Sequence, residues 1–228
     1  MFAYLFDITA AQEIAKQFAA RYRNARTMQA TFLERYTENG RVTRVEAGEA
    51  YFLRPGKMRW EYDSPEKNLF LVDGKTAWFY VPTDHTVTRV PAKNSSDWRT
   101  PLALLAGEMK ISRVCTRLEI AHHEEAQTAG DAVLSCELRG AASEKTAASK
   151  PVDSQSPKDQ QEQVFLEIEK ATGNLVRVLV RDPGGIQIEF QFANWRLNPE
   201  LPESFFHFAL PPGTAIVSGE AGAASLTR

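Results

Sequence analysis

Apolar and charged residues alternate strictly through Met58-Arg59-Trp60-Glu61-Tyr62, so Met58, Trp60 and Tyr62 share one face of a strand and Arg59 and Glu61 the other. Upstream, Met28, Ala30 and Phe32 alternate with Gln29 and Thr31, and Asn39-Gly40 supplies a strong hairpin signal after that run. Ala50, Phe52 and Arg54 share a parity, but Tyr51 and Leu53 between them are apolar too, so both faces of this strand are expected to be covered. Trp78 and Tyr80 likewise point opposite to Ala77 and Phe79. Turn signals at Arg54-Pro55-Gly56, Ser64-Pro65, Asp73-Gly74, Thr172-Gly173-Asn174 and Asp182-Pro183-Gly184-Gly185 punctuate β-rich runs and predict an antiparallel meander of about eleven strands.

Helical periodicity is confined to two places. Ile14, Phe18 and Tyr22 recur every four residues behind a Thr9/Gln12 capping box, which predicts a helix over 9–24 with one apolar stripe to lay on the sheet. In 95–107, capping residues, an early proline and a closing glycine bracket a short apolar helix, a candidate lid or plug. Residues 140–163 are rich in Ala, Ser, Lys, Asp and Gln without periodicity and read as a mobile insertion; 218–228 read as a disordered tail. The whole chain, 1–228, is expected to form a single domain.

Composition narrows the function. With 43% hydrophobic residues among 228, the chain can bury a substantial core. A net charge of −2 gives no electrostatic footprint for nucleic acid or an anionic membrane surface. No apolar run is long enough to span a bilayer as a helix. The apolar opening residues 1–6 lack a basic segment and a small-residue cleavage site, so no export signal is expected in the chain as written.

Cys115 and Cys136 lie in two predicted strands flanking a polar segment. A hairpin would set them roughly opposite each other, near enough for a disulfide, and a one-residue slip would leave them as free core thiols. A bridge would imply an oxidising compartment. His122-His123-Glu124-Glu125 offers metal-ligating side chains, but adjacent histidines point apart and no third ligand is spaced to join them. The segment reads as a solvated loop, and no metal, cofactor or enzymatic activity is expected.

Arg54-Pro55-Gly56-Lys57-Met58-Arg59-Trp60-Glu61-Tyr62 and Asp73-Gly74-Lys75-Thr76-Ala77-Trp78-Phe79-Tyr80-Val81-Pro82 together resemble the paired signature of the periplasmic outer-membrane lipoprotein carrier family, LolA. The first strand, a Thr-Pro-apolar helix at Thr100-Pro101-Leu102-Ala103-Leu104-Leu105-Ala106-Gly107, and a close through Asn194-Trp195-Arg196, Phe205-Phe206-His207-Phe208 and Pro211-Pro212-Gly213 follow in the family's order. The resemblance implies an incomplete, half-open antiparallel β-barrel of about eleven strands closed by helices. It implies a monomeric periplasmic carrier that binds the acyl chains of lipoproteins in an apolar cavity, taking them from an inner-membrane ABC transporter, by transient contact, to an outer-membrane acceptor.

Each methylene held in water costs about 0.8 kcal/mol, so such cargo needs shelter. The expected wall is Phe32, Phe52, Arg54, Met58, Trp60, Tyr62, Trp78, Tyr80, Leu102 and Leu105. Each aromatic taken alone fits an ordinary core position equally well. Arg54 matches the family's functional arginine, which holds the lid helix by hydrogen bonds to main-chain carbonyls; as a plain turn arginine it would instead reach solvent. Met58 stands where the family more often carries Phe. A lipid- or lipoprotein-sensing module of an envelope-stress regulator, sharing the fold, is the alternative function.

Overall fold

The computed structural model describes residues 2–92, 111, 115–138 and 162–217, with side chains from Thr9 onward. The expected lid over 95–107, with Leu102 and Leu105, the insertion as far as residue 161 and the tail 218–228 lie outside the described residues. Of the expected insertion, Gln163 already belongs to a strand.

Helix α1 spans Phe2–Tyr22. The predicted start at Thr9 is therefore corrected: residues 2–8 contain no proline or glycine, the helix runs through them, and Thr9 lies inside it rather than capping it. The stripe is where the periodicity put it, with Ala11, Phe18 and Tyr22 fully buried and Ile14 nearly so.

Among the described residues, twelve strands form one sheet: β1 Thr27–Glu38, β2 Arg41–Leu53, β3 Lys57–Ser64, β4 Asn68–Val72, β5 Thr76–Val81, β6 Thr86–Pro91, β7 Cys115–Ile120, β8 Ala132–Leu138, β9 Gln163–Ile168, β10 Leu175–Arg181, β11 Ile186–Leu197 and β12 Ala215–Val217. Their order is β12-β6-β5-β4-β3-β2-β1-β11-β10-β9-β8-β7. The first eleven form antiparallel ladders, and only β12 pairs in parallel, with β6. The sheet is open, with β12 and β7 at its two edges. Closing a barrel requires the edge strands to pair, and these do not. The three residues of β12 are too short for a period-2 signal.

Long strands hold the centre. Asn39 and Gly40 both take positive φ, 49° and 76°, which is the two-residue turn expected of them, and it joins β1 to β2 over their full length. Register then sets the faces. Met28, Phe52 and Met58 form one row across β1, β2 and β3, Ala30, Ala50 and Trp60 the next, and Phe32, Gly48 and Tyr62 a third. This is the inner face, covered by α1.

The outer face has two covers. The segment after β11 crosses it, with Arg59 over the Phe205 ring at 4.5 Å and Phe208 stacked on Trp78 at 5.1 Å. Across β9–β11, the loop between β7 and β8 folds back onto buried charges. Arg177 donates to Glu167 at 2.7 Å, to Glu124 at 3.0 Å and to the Glu125 carbonyl at 2.9 Å, while Glu167 accepts the Gln127 N–H at 2.8 Å. The solvated-loop reading of 122–125 is thus corrected for Glu124, whose side chain is 11% exposed because Arg177 and Arg181 draw it inward. Burial alone would lower the Arg177 pKa, but its bonds to Glu167 and Glu124 outweigh that and raise it.

Cys115 and Cys136 are joined in a disulfide with their Cα atoms 5.3 Å apart. They sit diagonally rather than opposite, Cys115 facing Leu138 and Cys136 facing Leu118, with a register shift just after Cys115. Closing a loop of this length removes about 3 kcal/mol of unfolded-chain entropy in the loop-closure model.

Two stability predictions follow from particular atoms. A Cβ on Gly48 would lie 1.9 Å from the Glu61 carbonyl oxygen, on the neighbouring strand's backbone. Gly48→Ala is expected to cost about 1–3 kcal/mol and to lower Tm by several degrees; an unchanged melting curve would refute this close approach of β2 and β3. At the Asp73-Gly74 turn the Asp73 carboxylate accepts the Thr76 N–H at 2.8 Å, the Lys75 N–H at 2.9 Å and the Trp78 indole at 3.2 Å. Partial burial pushes its pKa up, but the three hydrogen bonds prevail and hold it below the usual carboxylate range. Its contribution is present above the unfolded pKa of about 4 and is lost as pH falls through the depressed folded value. The Tm advantage of wild type over Asp73→Asn should therefore shrink from pH 6 towards pH 2, and a constant gap would contradict it.

Candidate functional site

The inner face between α1 and the central strands is an aromatic wall, and Trp60 is its centre. Its ring meets Phe32 at 4.8 Å, Phe190 at 5.4 Å, Phe52 at 5.9 Å and Phe192 at 6.0 Å, all near edge-to-face. Ala50 on β2, directly beside it, and Ala30 beyond on β1 leave the room an indole needs. Phe32, Phe52, Met58, Trp60 and Tyr62, five of the expected wall residues, converge here and are all buried. Phe70, Phe79, Phe190 and Phe192 join the same cluster. Phe70 and Phe79 escape a sequence reading because β4 and β5 are apolar on both faces, so parity alone does not say which side turns inward. For Phe190 and Phe192 the signal was present, since Ile186, Ile188, Phe190 and Phe192 alternate with Gln187, Glu189 and Gln191 along β11.

Trp78 and Tyr80 are corrected. Register places Trp60, Phe70 and Phe79 in one row and Arg59, Leu71 and Trp78 in the next, so Trp78 and Tyr80 lie on the outer face against Phe208. Phe79 is the β5 aromatic that reaches the wall.

Arg54 stands at one end of the wall. Its Nη1 donates to the Tyr22 carbonyl at 2.8 Å, and its Nη2 lies 3.9 Å from the Met28 sulfur. Among the described residues, the main-chain carbonyl it holds thus belongs to the last turn of α1. Partial burial lowers its pKa from the ordinary value, yet a guanidinium stays charged. Tyr22 anchors the same turn: its hydroxyl accepts the Leu175 N–H at 3.0 Å, its ring meets Trp195 at 5.3 Å, and burial pushes the phenol above its ordinary range.

At the opposite end the wall turns polar. Tyr62 donates to Glu34 at 2.9 Å, Arg44 pairs with Glu46 at 3.0 Å, and the Arg44 guanidinium lies over the Tyr36 ring at 5.2 Å. Glu34 is 1% exposed and directly faces Glu46 across β1 and β2. The signal for it was present in the sequence: Glu34 continues the inward parity of Met28, Ala30 and Phe32.

One buried donor at the centre of the wall stands apart. Among the described residues, the Trp60 indole N–H has no hydrogen-bond partner. By contrast, Trp195 donates to the Leu175 carbonyl at 2.7 Å and Trp78 to Asp73 at 3.2 Å. An orphaned buried donor costs about 1–3 kcal/mol.

A cavity of about 220 Å³ lies elsewhere, on the outer side of β7–β9, lined by Arg117, Glu119, His122, His123, Glu137 and Glu162 among others. Its lining sets those charged and imidazole side chains beside Ile120 and Phe165. Among the described residues no group of three metal-ligating side chains occurs.

The family model of the outer membrane lipoprotein carrier protein LolA matches residues 23–129, and one described as a predicted periplasmic protein matches 158–218. An outer-membrane lipoprotein carrier protein of Chromobacterium violaceum is 34% identical over 207 residues, covering 90% of this chain and 87% of that protein. Its counterpart from Nitrosospira multiformis is 29% identical over 199 residues, 86% and 84% of the two chains. An uncharacterized conserved protein of Thermus thermophilus shares the fold, with a TM-score of 0.53 at 16% identity over 92% of this chain and 99% of that one. With this identity sustained over nearly the whole of both sequences, the chain belongs to the outer-membrane lipoprotein carrier family, LolA.

Proposed function

We propose that this protein is a periplasmic carrier that shelters the acyl chains of lipoproteins against its inner face and ferries them from an inner-membrane ABC transporter to the outer membrane. The observation that carries the reading is the continuous aromatic wall from Met28 and Met58 to Phe192, covered by the apolar stripe of α1. The relatives' description as lipoprotein carriers supports the cargo class. The Cys115–Cys136 bridge is consistent with an oxidising compartment.

The wall is filled by side chains, so loading is an exchange. Acyl chains take the place of the α1 stripe, Ala11, Ile14, Phe18 and Tyr22, on the inner face. Arg54 controls the exchange by gripping the Tyr22 carbonyl at the rim. Its charge keeps that end of the wall from being wholly apolar, which favours release.

Native mass spectrometry of the protein purified from a periplasmic extract tests the function. A one-to-one complex with an acylated lipoprotein is expected, whereas phospholipid alone would favour a sensing role and a persistently empty protein would sink carriage. Arg54→Leu tests the rim. The variant is expected to accept lipoprotein but to release it to acceptor membranes about tenfold more slowly, because a buried leucine adds about 1.5–3 kcal/mol of apolar contact. Transfer at the wild-type rate would defeat the role given to Arg54.

A further inference from the structure

The indole of Trp60 is fully buried at the middle of the inner wall, and among the described residues its N–H meets no acceptor. The rings of Phe32, Phe52, Phe190 and Phe192 that surround it carry no hydrogen-bonding atom. Its neighbours in the row, Ala50 and Ala30, have no polar side chain, and their main-chain groups lie within the strand ladders. Tyr62 is engaged with Glu34, Tyr22 with Leu175, and Trp195 with the Leu175 carbonyl, while the Asn68 Oδ1, buried in the Tyr62 row without a partner among the described residues, is an acceptor and not a donor. The wall therefore offers one vacant donor in a dry aromatic setting, about midway between Arg54 and Glu34.

A hydrocarbon chain cannot answer that donor, but the carbonyl that joins it to glycerol can. Resting on the carrier reading above, we propose that Trp60 donates its indole N–H to an ester carbonyl of a diacylglyceryl group when cargo replaces the α1 stripe. The wall then recognises ester-linked chains, not apolar length alone. Donation to a carbonyl that water no longer reaches rewards the ester over a chain of equal length lacking it.

Three probes decide it: a lipopeptide with two ester-linked palmitoyl chains on glyceryl-cysteine, its counterpart with two ether-linked hexadecyl chains, and a diester phospholipid. The wild-type protein is expected to bind the diester lipopeptide about tenfold more tightly than the diether, one hydrogen bond's worth of discrimination in a buried site. With indole-¹⁵N-labelled protein, the Trp60 N–H resonance should move downfield with diester ligands and not with the diether. Trp60→Phe should erase the preference, and the wild-type ratio and the resonance stand even if that variant folds poorly. Comparing the lipopeptide with the phospholipid tells which source supplies the ester. Equal affinity for ester and ether, or a preference that survives in Trp60→Phe, overturns the proposal while leaving carriage intact. Failure of the wild-type protein to bind either lipopeptide overturns the carrier reading and this inference with it.

Discussion

Phe18 and Tyr22, 5.2 Å apart on one stripe of α1, lock the helix to the inner face, and the arrangement of the wall behind them depends on that contact. Tyr22 meets Trp195, Trp195 meets Phe52 and Phe192, and both of those meet Trp60. Fully burying a side chain of this size contributes about 1.5–3 kcal/mol, so removing the stripe would leave a large apolar surface wet. The polar tethers described for the helix cluster at its end. Arg54 holds the Tyr22 carbonyl, Arg21 donates to Asn174 at 2.9 Å, and the Tyr22 hydroxyl meets Leu175. Along Ala11, Ile14 and Phe18 the helix is held to the wall by apolar contact, which is non-directional and can be exchanged for another apolar partner.

The outer face carries the opposite chemistry. There Arg177 ties Glu167, Glu124 and the Glu125 carbonyl together, and Arg35 bridges to Glu189 at 2.8 Å, stitching β1, β9, β10, β11 and the β7–β8 loop. Buried charges contribute little net stability once their desolvation is counted, but removing one partner strands the other, so such a network fixes geometry. On the other half of the sheet, Lys57 meets Glu203 at 2.5 Å and Arg59 donates to the Phe205 carbonyl at 3.1 Å, pinning the segment that follows β11. Specific, directional bonds hold the back of the sheet while the front relies on interchangeable apolar contact. That division suits a protein whose front has to open without the sheet losing register.

Period 2 made β1 and β3 legible, Asn39-Gly40 announced the hairpin between β1 and β2, and the four-residue spacing from Ile14 to Tyr22 marked the stripe of α1. Five wall residues were legible for the same reason. What parity does not carry is the register between strands: Trp78 and Phe79 are adjacent, equally aromatic and on opposite faces, and only pairing with Leu71 and Phe70 tells them apart. Both faces of β5 are apolar because the segment containing Phe208 returns to cover the outer one, more than a hundred residues later. Glu124 is a similar case, since nothing near it in the chain announces the Arg177 that buries it. The start of α1 failed differently: a capping pattern competes with continued helix, and residues 2–8 offered nothing to stop it.

A filled wall is compatible with the carriage proposed above once the energies are set side by side. An acyl chain of about sixteen carbons gains roughly 12 kcal/mol by leaving water at about 0.8 kcal/mol per methylene, and two or three chains would exceed any affinity from which cargo returns on a useful timescale. An empty greasy cavity would therefore be a trap. A wall already occupied by the protein's own Phe18 and Tyr22 presents a competitor instead, because each contact made with cargo replaces one that α1 made before. Only the difference between the two appears as affinity. The helix that hides the wall is then also what keeps binding moderate enough to reverse, and the wall's aromatic density is compatible with transfer because it never has to be exposed to water.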